Sequence, residues 1–221
     1  MTYYFCTLKT KLLAIFILLF TYFSAIASGI SSGPKPQWVV SINTDLSAKV
    51  PSSEIESGYY YLLNEKQVNV QSSAFYYHYV KKITNQSGVE NSSQLEFNYD
   101  KAFETLVIHE VKIIRDNKVI DQIDLSKLKV VQKTKGMEQL QYSETMSGLL
   151  FLGDVKTNDI IEYSYTVTQR NPLFSKKYSD NFLLQFSVPM CSVVYRILIP
   201  ADRKLYMKEL NSNIKPIVKE E

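Results

Sequence analysis

The chain has 221 residues, with 25 Lys+Arg against 22 Asp+Glu, two Cys and two His. That length suits one large or two small domains, and 45% apolar with 21% charged residues describes a folded chain rather than a disordered one. Two Cys exclude a disulfide-dense scaffold, two His leave little material for a zinc site, and a formal charge of only +3 argues against a nucleic-acid partner.

Lys9 and Lys11 precede the apolar run 12–20, and Ala25-Ile-Ala27 supplies small residues at the −3 and −1 positions of a cut. This is the layout of a secretory signal peptide at 1–27, cleaved after Ala27. The rival reading is a retained anchor. The uncharged run 12–27 falls short of the roughly 17–25 residues a spanning helix needs, so no stable membrane insertion is expected after cleavage. Cleavage removes both lysines and Cys6, leaving Cys191 as the remaining thiol. A periplasmic or secreted protein is expected.

Residues 28–58 have the composition of an arm or linker, with Ser31-Ser-Gly-Pro-Lys-Pro36 and Pro51-Ser-Ser-Glu54. Within it, 37–42 reads as an arm or edge strand that packs Trp38, the single tryptophan, onto the body. From Tyr59 to about 210 one strand follows another, and no window shows a convincing 3.6-residue period. Phe75, Tyr77 and Tyr79 alternate before a turn at Asn85-Gln-Ser-Gly88. The run 106–114 is apolar on both parities except at His109, Glu110 and Lys112, as in a central strand. Asp116-Asn-Lys118 turns it into a short hairpin with 119–123. Asp124-Leu-Ser-Lys-Leu128 reads as a helical turn capped by Asp124 or Ser126.

Lys156-Thr-Asn-Asp159 is a second tight turn, joining 149–155 to the clearest strand, 160–168. There Ile161, Tyr163, Tyr165 and Val167 point one way, toward a core, while Glu162, Ser164, Thr166 and Thr168 point the other. Phe182, Leu184, Phe186 and Val188 repeat this alternation, as do Val193, Tyr195, Ile197 and Ile199. Residues 211–221 read as a tail. Sixteen Tyr and eleven Phe against seven Gly favour strands with large cross-strand side chains. The expected fold is all-β: an antiparallel, sandwich-like domain.

Little in the sequence spells out a reaction. Cys191 would need a His to take its proton. His78 and His109 fall inside predicted strands, and a thiol beside an apolar strand is ordinarily a small buried hydrophobe. His109 and Glu110 are adjacent and would face opposite sides of a regular strand, so they cannot chelate a metal together. Asp154 and Asp159 sit around a turn, where capping accounts for them better than acid/base chemistry does. Asn85-Gln-Ser and Asn91-Ser-Ser fit the glycosylation pattern and mark exposed stretches. Tyrosines at 59–61 and 76–77 stabilise a sheet by aromatic pairing, or offer a stacking surface for sugar or peptide. No catalytic, cofactor-binding or metal-binding residue is assigned, and no cofactor is expected.

Several segments carry a resemblance: Pro36-Gln-Trp-Val39, the strand 57–70, Tyr79-Val-Lys-Lys-Ile-Thr-Asn85, the stretch 151–167 and Arg170-Asn-Pro172. Together, over about 38–210, they resemble the uncharacterised β domain found at the N-terminus of exported bacterial proteins, ahead of a transglutaminase-like domain. Asn158 stands where such families carry Gly, and Asn tolerates the same positive-φ turn. The resemblance implies a non-catalytic module beside a Cys-His-Asp catalytic domain that has no room downstream of Cys191. The expected role is interaction with a protein or peptide partner by strand addition. The alternatives are a polysaccharide-binding module using exposed tyrosines, or a truncated piece of a transglutaminase-like cysteine protease.

Overall fold

A computed structural model describes residues 29–133, 145–172 and 177–220. The expected signal peptide lies outside the described residues. In chain order the strands are β1 (Ile30–Ser32), β2 (Tyr59–Asn69), β3 (Ala74–Ile83), β4 (Gln94–Asp100), β5 (Glu104–Arg115), β6 (Lys118–Asp121), β7 (Leu128–Gln132), β8 (Thr145–Phe151), β9 (Ile160–Gln169) and β10 (Val193–Leu198). Among the described residues one α-helix, α1 (Gln86–Ser92), sits between β3 and β4.

The strands form two sheets. A seven-stranded sheet runs β1-β5-β9-β3-β2-β10, with β6 folded back on β5, and a three-stranded sheet runs β4-β8-β7. The second sheet is antiparallel throughout, whereas β1 and β10 join the first in parallel. The fold is the expected all-β sandwich, with a mixed rather than purely antiparallel large sheet.

The inner face of the large sheet supplies Leu106, Ile108, Val111 and Ile113 from β5, and Ile161 and Val167 from β9. The small sheet answers with Leu95, Phe97, Tyr99 and Leu150, so the main core lies between the two layers. Phe97 packs edge-on against Tyr163 and Tyr165 at ring separations of 6.2 and 5.1 Å. The alternation read along 160–168 therefore assigns the inner face as expected.

Local chemistry accounts for the connections. Asp116 and Asn117 adopt φ of 50° and 61°, the left-handed pair that a tight hairpin between β5 and β6 needs. Asn158 takes φ 71° in the turn before β9, as its tolerance of that region allows. Asp124 caps a short 3₁₀ turn by accepting from Ser126 N–H at 3.1 Å.

Three expectations change and one open reading narrows. Residues 182–188 form no ladder; Phe182 packs on Tyr195 at 4.6 Å, while Leu184 is exposed. The stretch 37–42 is an arm without strand pairing, and the strand of this region is β1. The segment 149–155 enters the second sheet only as far as Phe151. The Asn85 turn opens a helix, because its side chain accepts from Gly88 N–H at 3.0 Å and so caps α1. Seven residues are too few to display a 3.6 period.

Candidate functional site

The outer face of the large sheet is where the structure departs most from a plain sandwich. On β9 it carries Glu162, Ser164 and Thr166, of which Ser164 and Thr166 are buried. On β3 it carries Tyr76 and His78, and on β2 Glu65 and Gln67, all four buried. The cover is the arm. Gly33 O meets His109 Nδ1 at 2.9 Å, Gln67 exchanges hydrogen bonds with Val40, and Arg196 donates to Trp38 O at 3.1 Å. The face of β9 opposite the core is therefore a covered polar layer.

A β-bulge in β5 between Ile108 and Glu110 shapes this layer. It inserts one residue, so His109 and Glu110 reach the same side of the sheet rather than opposite sides. His109 Nε2 meets Thr166 Oγ1 at 2.7 Å, and Glu110 accepts from Ser164 at 3.0 Å.

His78 is the hub. Its Nδ1 lies 2.8 Å from Glu65 Oε2, and its Nε2 lies 3.0 Å from Glu162 Oε1 and 4.0 Å from Glu110 Oε1. Lys112 bridges Glu110 and Glu162 at 3.2 and 3.1 Å, and Lys35 of the arm reaches Glu110 at 2.5 Å. Gln67 completes the set by donating to Glu65.

The electrostatics follow from this geometry. Burial by itself would keep His78 neutral, but the Glu162 and Glu65 carboxylates lift it above the ordinary histidine value. Burial opposes charge on Glu110 as well, yet the Lys35 and Lys112 ammoniums hold its carboxyl down at about 2. Glu162 is lowered by His78 and Lys112 against the same desolvation. His109 is shifted down by burial, so it stays neutral. Glu65, Glu110 and Glu162 thus lie among Lys35, Lys112 and, once protonated, His78.

His78, Glu110 and Glu162 present ligand atoms within 4.8 Å of one another, a donor set of metal-binding type. Lys35 and Lys112 already hold those carboxylates, so a cation would have to displace both. The arrangement favours the protonated form of His78 and fastens the arm.

The edge of the sheet at β10 offers a different chemistry. The carbonyls of Ser192 and Leu198 accept from Asn64 and Val70 of the β2 segment, at 2.9 and 3.0 Å. In a parallel ladder this directs the backbone groups of Val193, Tyr195 and Ile197 away from β2, toward the outside of the sheet. Exposed apolar side chains flank this strand in sequence: Leu183 and Leu184 before it, and Tyr206, Leu210, Ile214, Ile217 and Val218 after it.

The remaining sequence candidates separate. Cys191 is exposed rather than buried, because it precedes the ladder at the sheet edge, and partial burial with a nearby Asp45 pushes its thiol up. Asp159 and Asp154 both pair with Arg115, at 2.8 and 2.9 Å, and Asp159 also accepts from Lys156 N–H at 2.7 Å. Asn85 and Asn91 are exposed. Tyr59 and Tyr61 share the inner face, while Tyr60 and Tyr76 turn outward and are buried.

A family model described as a domain of unknown function (DUF3857) matches residues 69–221. A crystal structure described as "a putative protease" from Parabacteroides distasonis is similar at 13% identity with a TM-score of 0.45, over 52% of this chain. The likeness spans 23% of that protein's length. None of the curated proteins matches the chain.

Proposed function

The chain belongs to that family of domains of unknown function, and on this premise we propose that it is a non-catalytic interaction module of an exported protein. It normally accompanies a transglutaminase-like domain and engages its protein or peptide partner along β10. The observation that carries this reading is the edge itself. Val193, Tyr195 and Ile197 turn their backbone groups outward from a strand flanked by exposed apolar side chains. Such an edge is a template for an added strand, and natural sheets ordinarily guard it.

The two alternatives have less support. The Tyr77–Tyr165 and Tyr79–Tyr163 rings stack on each other at 5.0 and 5.1 Å, which occupies the faces a sugar ring would stack upon. Cys191 has a raised thiol pKa, and no hydrogen bond joins it to a His among the described residues. A nucleophile needs the opposite shift.

Ile197→Pro tests the reading, because it removes an outward N–H without touching the β2 ladder. Titration calorimetry would use a transglutaminase-like domain that follows a β domain of this family, supplied in trans. The variant is expected to keep its β-sheet circular dichroism and to lose binding. Binding unchanged by the proline would overturn the edge as the contact.

A further inference from the structure

Residues 178–183 alternate like a strand without belonging to a ladder: Tyr178, Asp180 and Phe182 are half-buried, while Ser179, Asn181 and Leu183 are exposed. Each inward side chain meets a different strand of the large sheet. Tyr178 stacks on Phe75 of β3 at 6.5 Å, Asp180 pairs with Lys66 of β2 at 2.5 Å, and Phe182 packs on Tyr195 of β10 at 4.6 Å. Tyr195, Lys66, Tyr77 and Tyr165 stand in one row across the ladders, on the inner face. Because β3, β2 and β10 are successive neighbours, the segment crosses that face as a strap.

The middle contact is ionic and enclosed. The Lys66 ammonium lies 5.3 to 5.6 Å from the ring centres of Phe75, Tyr77 and Phe182, a cage that the Asp180 carboxylate closes. Asp180 also accepts from the Tyr178 hydroxyl at 3.3 Å. The two paired side chains are only 14% and 16% exposed. Removing one partner from a pair this far from water strands the other charge, which ring faces compensate only in part. Lys66 is fixed on β2, so the strap is the part that must lift for the ammonium to regain water.

The strand β10 leans on this strap. It pairs with β2 alone, and none of its six residues is fully buried. Phe182 covers the Tyr195 ring, and the Tyr195 hydroxyl donates to Leu183 O at 2.7 Å. Elements with few buried apolar contacts are the first to open. We propose that the 178–183 strap and β10 open and close as one unit, with the Lys66–Asp180 pair as the latch that keeps the β10 edge in place. This rests on the reading of β10 as the partner edge, and adds that the edge is presented only while the latch is closed.

Amide exchange on the chain alone reads the latch without any partner. Asn64 and Val70 donate to Ser192 O and Leu198 O at the two ends of β10. In Asp180→Asn their amides are expected to exchange about tenfold faster or more, with the amides of β9 unchanged. Asp180→Glu keeps the charge and should restore slow exchange. An Asp180→Asn chain that failed to fold would be replaced by Phe182→Ala, which keeps the ion pair and should accelerate the same two amides. Calorimetry with the transglutaminase-like domain should show weaker binding in Asp180→Asn and recovery in Asp180→Glu. Unchanged exchange at Asn64 and Val70, equal acceleration over β9, or undiminished binding by a chain whose β10 has opened would overturn the proposal. Failure of the unsubstituted chain to bind would count against the partner edge alone, since exchange decides the latch.

Discussion

His78 Nε2 lies 3.0 Å from Glu162 Oε1, across the ladder that joins β3 to β9, while its Nδ1 meets Glu65 on β2. One imidazole thus ties together three neighbouring strands in the middle of the large sheet. The ring is buried and its folded pKa is raised, so protonated His78 is bound more tightly in the native state than in the unfolded chain. Its contribution to stability is fully present below the unfolded value of about 6.5 and is lost as pH rises through the folded pKa. Glu110 and Glu162 are lowered, so their contribution is present above the ordinary carboxylate range and is lost as pH falls through their folded values. Stability from this layer should be greatest in mildly acidic solution. Urea denaturation across pH 5 to 9 checks it, and His78→Gln should flatten the alkaline limb and cost about 3 kcal/mol near pH 6.

His109 works in the other direction. Its pKa is depressed, so it favours the folded state when neutral and opposes it as pH falls below about 6.5. A His109→Gln variant should lose part of the acid limb and keep the alkaline one. The same urea series reads both, and an acid limb unchanged in this variant would show that His109 ionises freely.

Tyr165→Ala should cost about 3–5 kcal/mol, because the ring packs on Phe97 and Tyr77 between the layers. Thr166 is not the exposed neighbour that strand alternation suggests. It is 4% exposed and hydrogen-bonded to His109, so Thr166→Val should cost about 1–3 kcal/mol. Chemical denaturation of the two variants gives the comparison, and Tyr165 should remain the larger loss.

The arm is held by polar contacts, which makes its attachment separable from the core. Glu110→Gln would weaken the hold on Lys35 while leaving the inner face intact. Amide exchange at Val40, whose N–H donates to Gln67, should speed up in this variant, with little change at Ile161. Equal acceleration at both would mean that the layer supports the whole sheet rather than the arm.

Cys191 is exposed with a raised thiol pKa, so reagent access and reactivity oppose each other. Alkylation should be slow near neutral pH and accelerate above about 9. Fast labelling at pH 7 would indicate an activated thiol and revive a catalytic reading.

Much of this architecture can be read from side-chain periodicity. Ile161, Tyr163, Tyr165 and Val167 report the inner face directly because one side of β9 meets an apolar layer. Asp116, Asn117 and Asn158 report turns because few other residues accept positive φ. The outer face was illegible for a physical reason: Glu162, Ser164 and Thr166 look solvent-facing, and the arm that covers this layer lies far earlier in the chain. Likewise, adjacency alone puts His109 and Glu110 on opposite faces, and a bulge that no residue announces puts them together. The apolar alternation at 182–188 has the strand period without a ladder: Phe182 packs on Tyr195, and Leu184 stays exposed.

The central claim, that β10 receives the partner, is tested most directly by hydrogen–deuterium exchange with and without the transglutaminase-like domain. The account predicts new protection at the amides of Val193, Tyr195 and Ile197, with the amides of β3 and β9 unchanged. Protection confined to the arm or the small sheet, with β10 exchanging as it does alone, would contradict it.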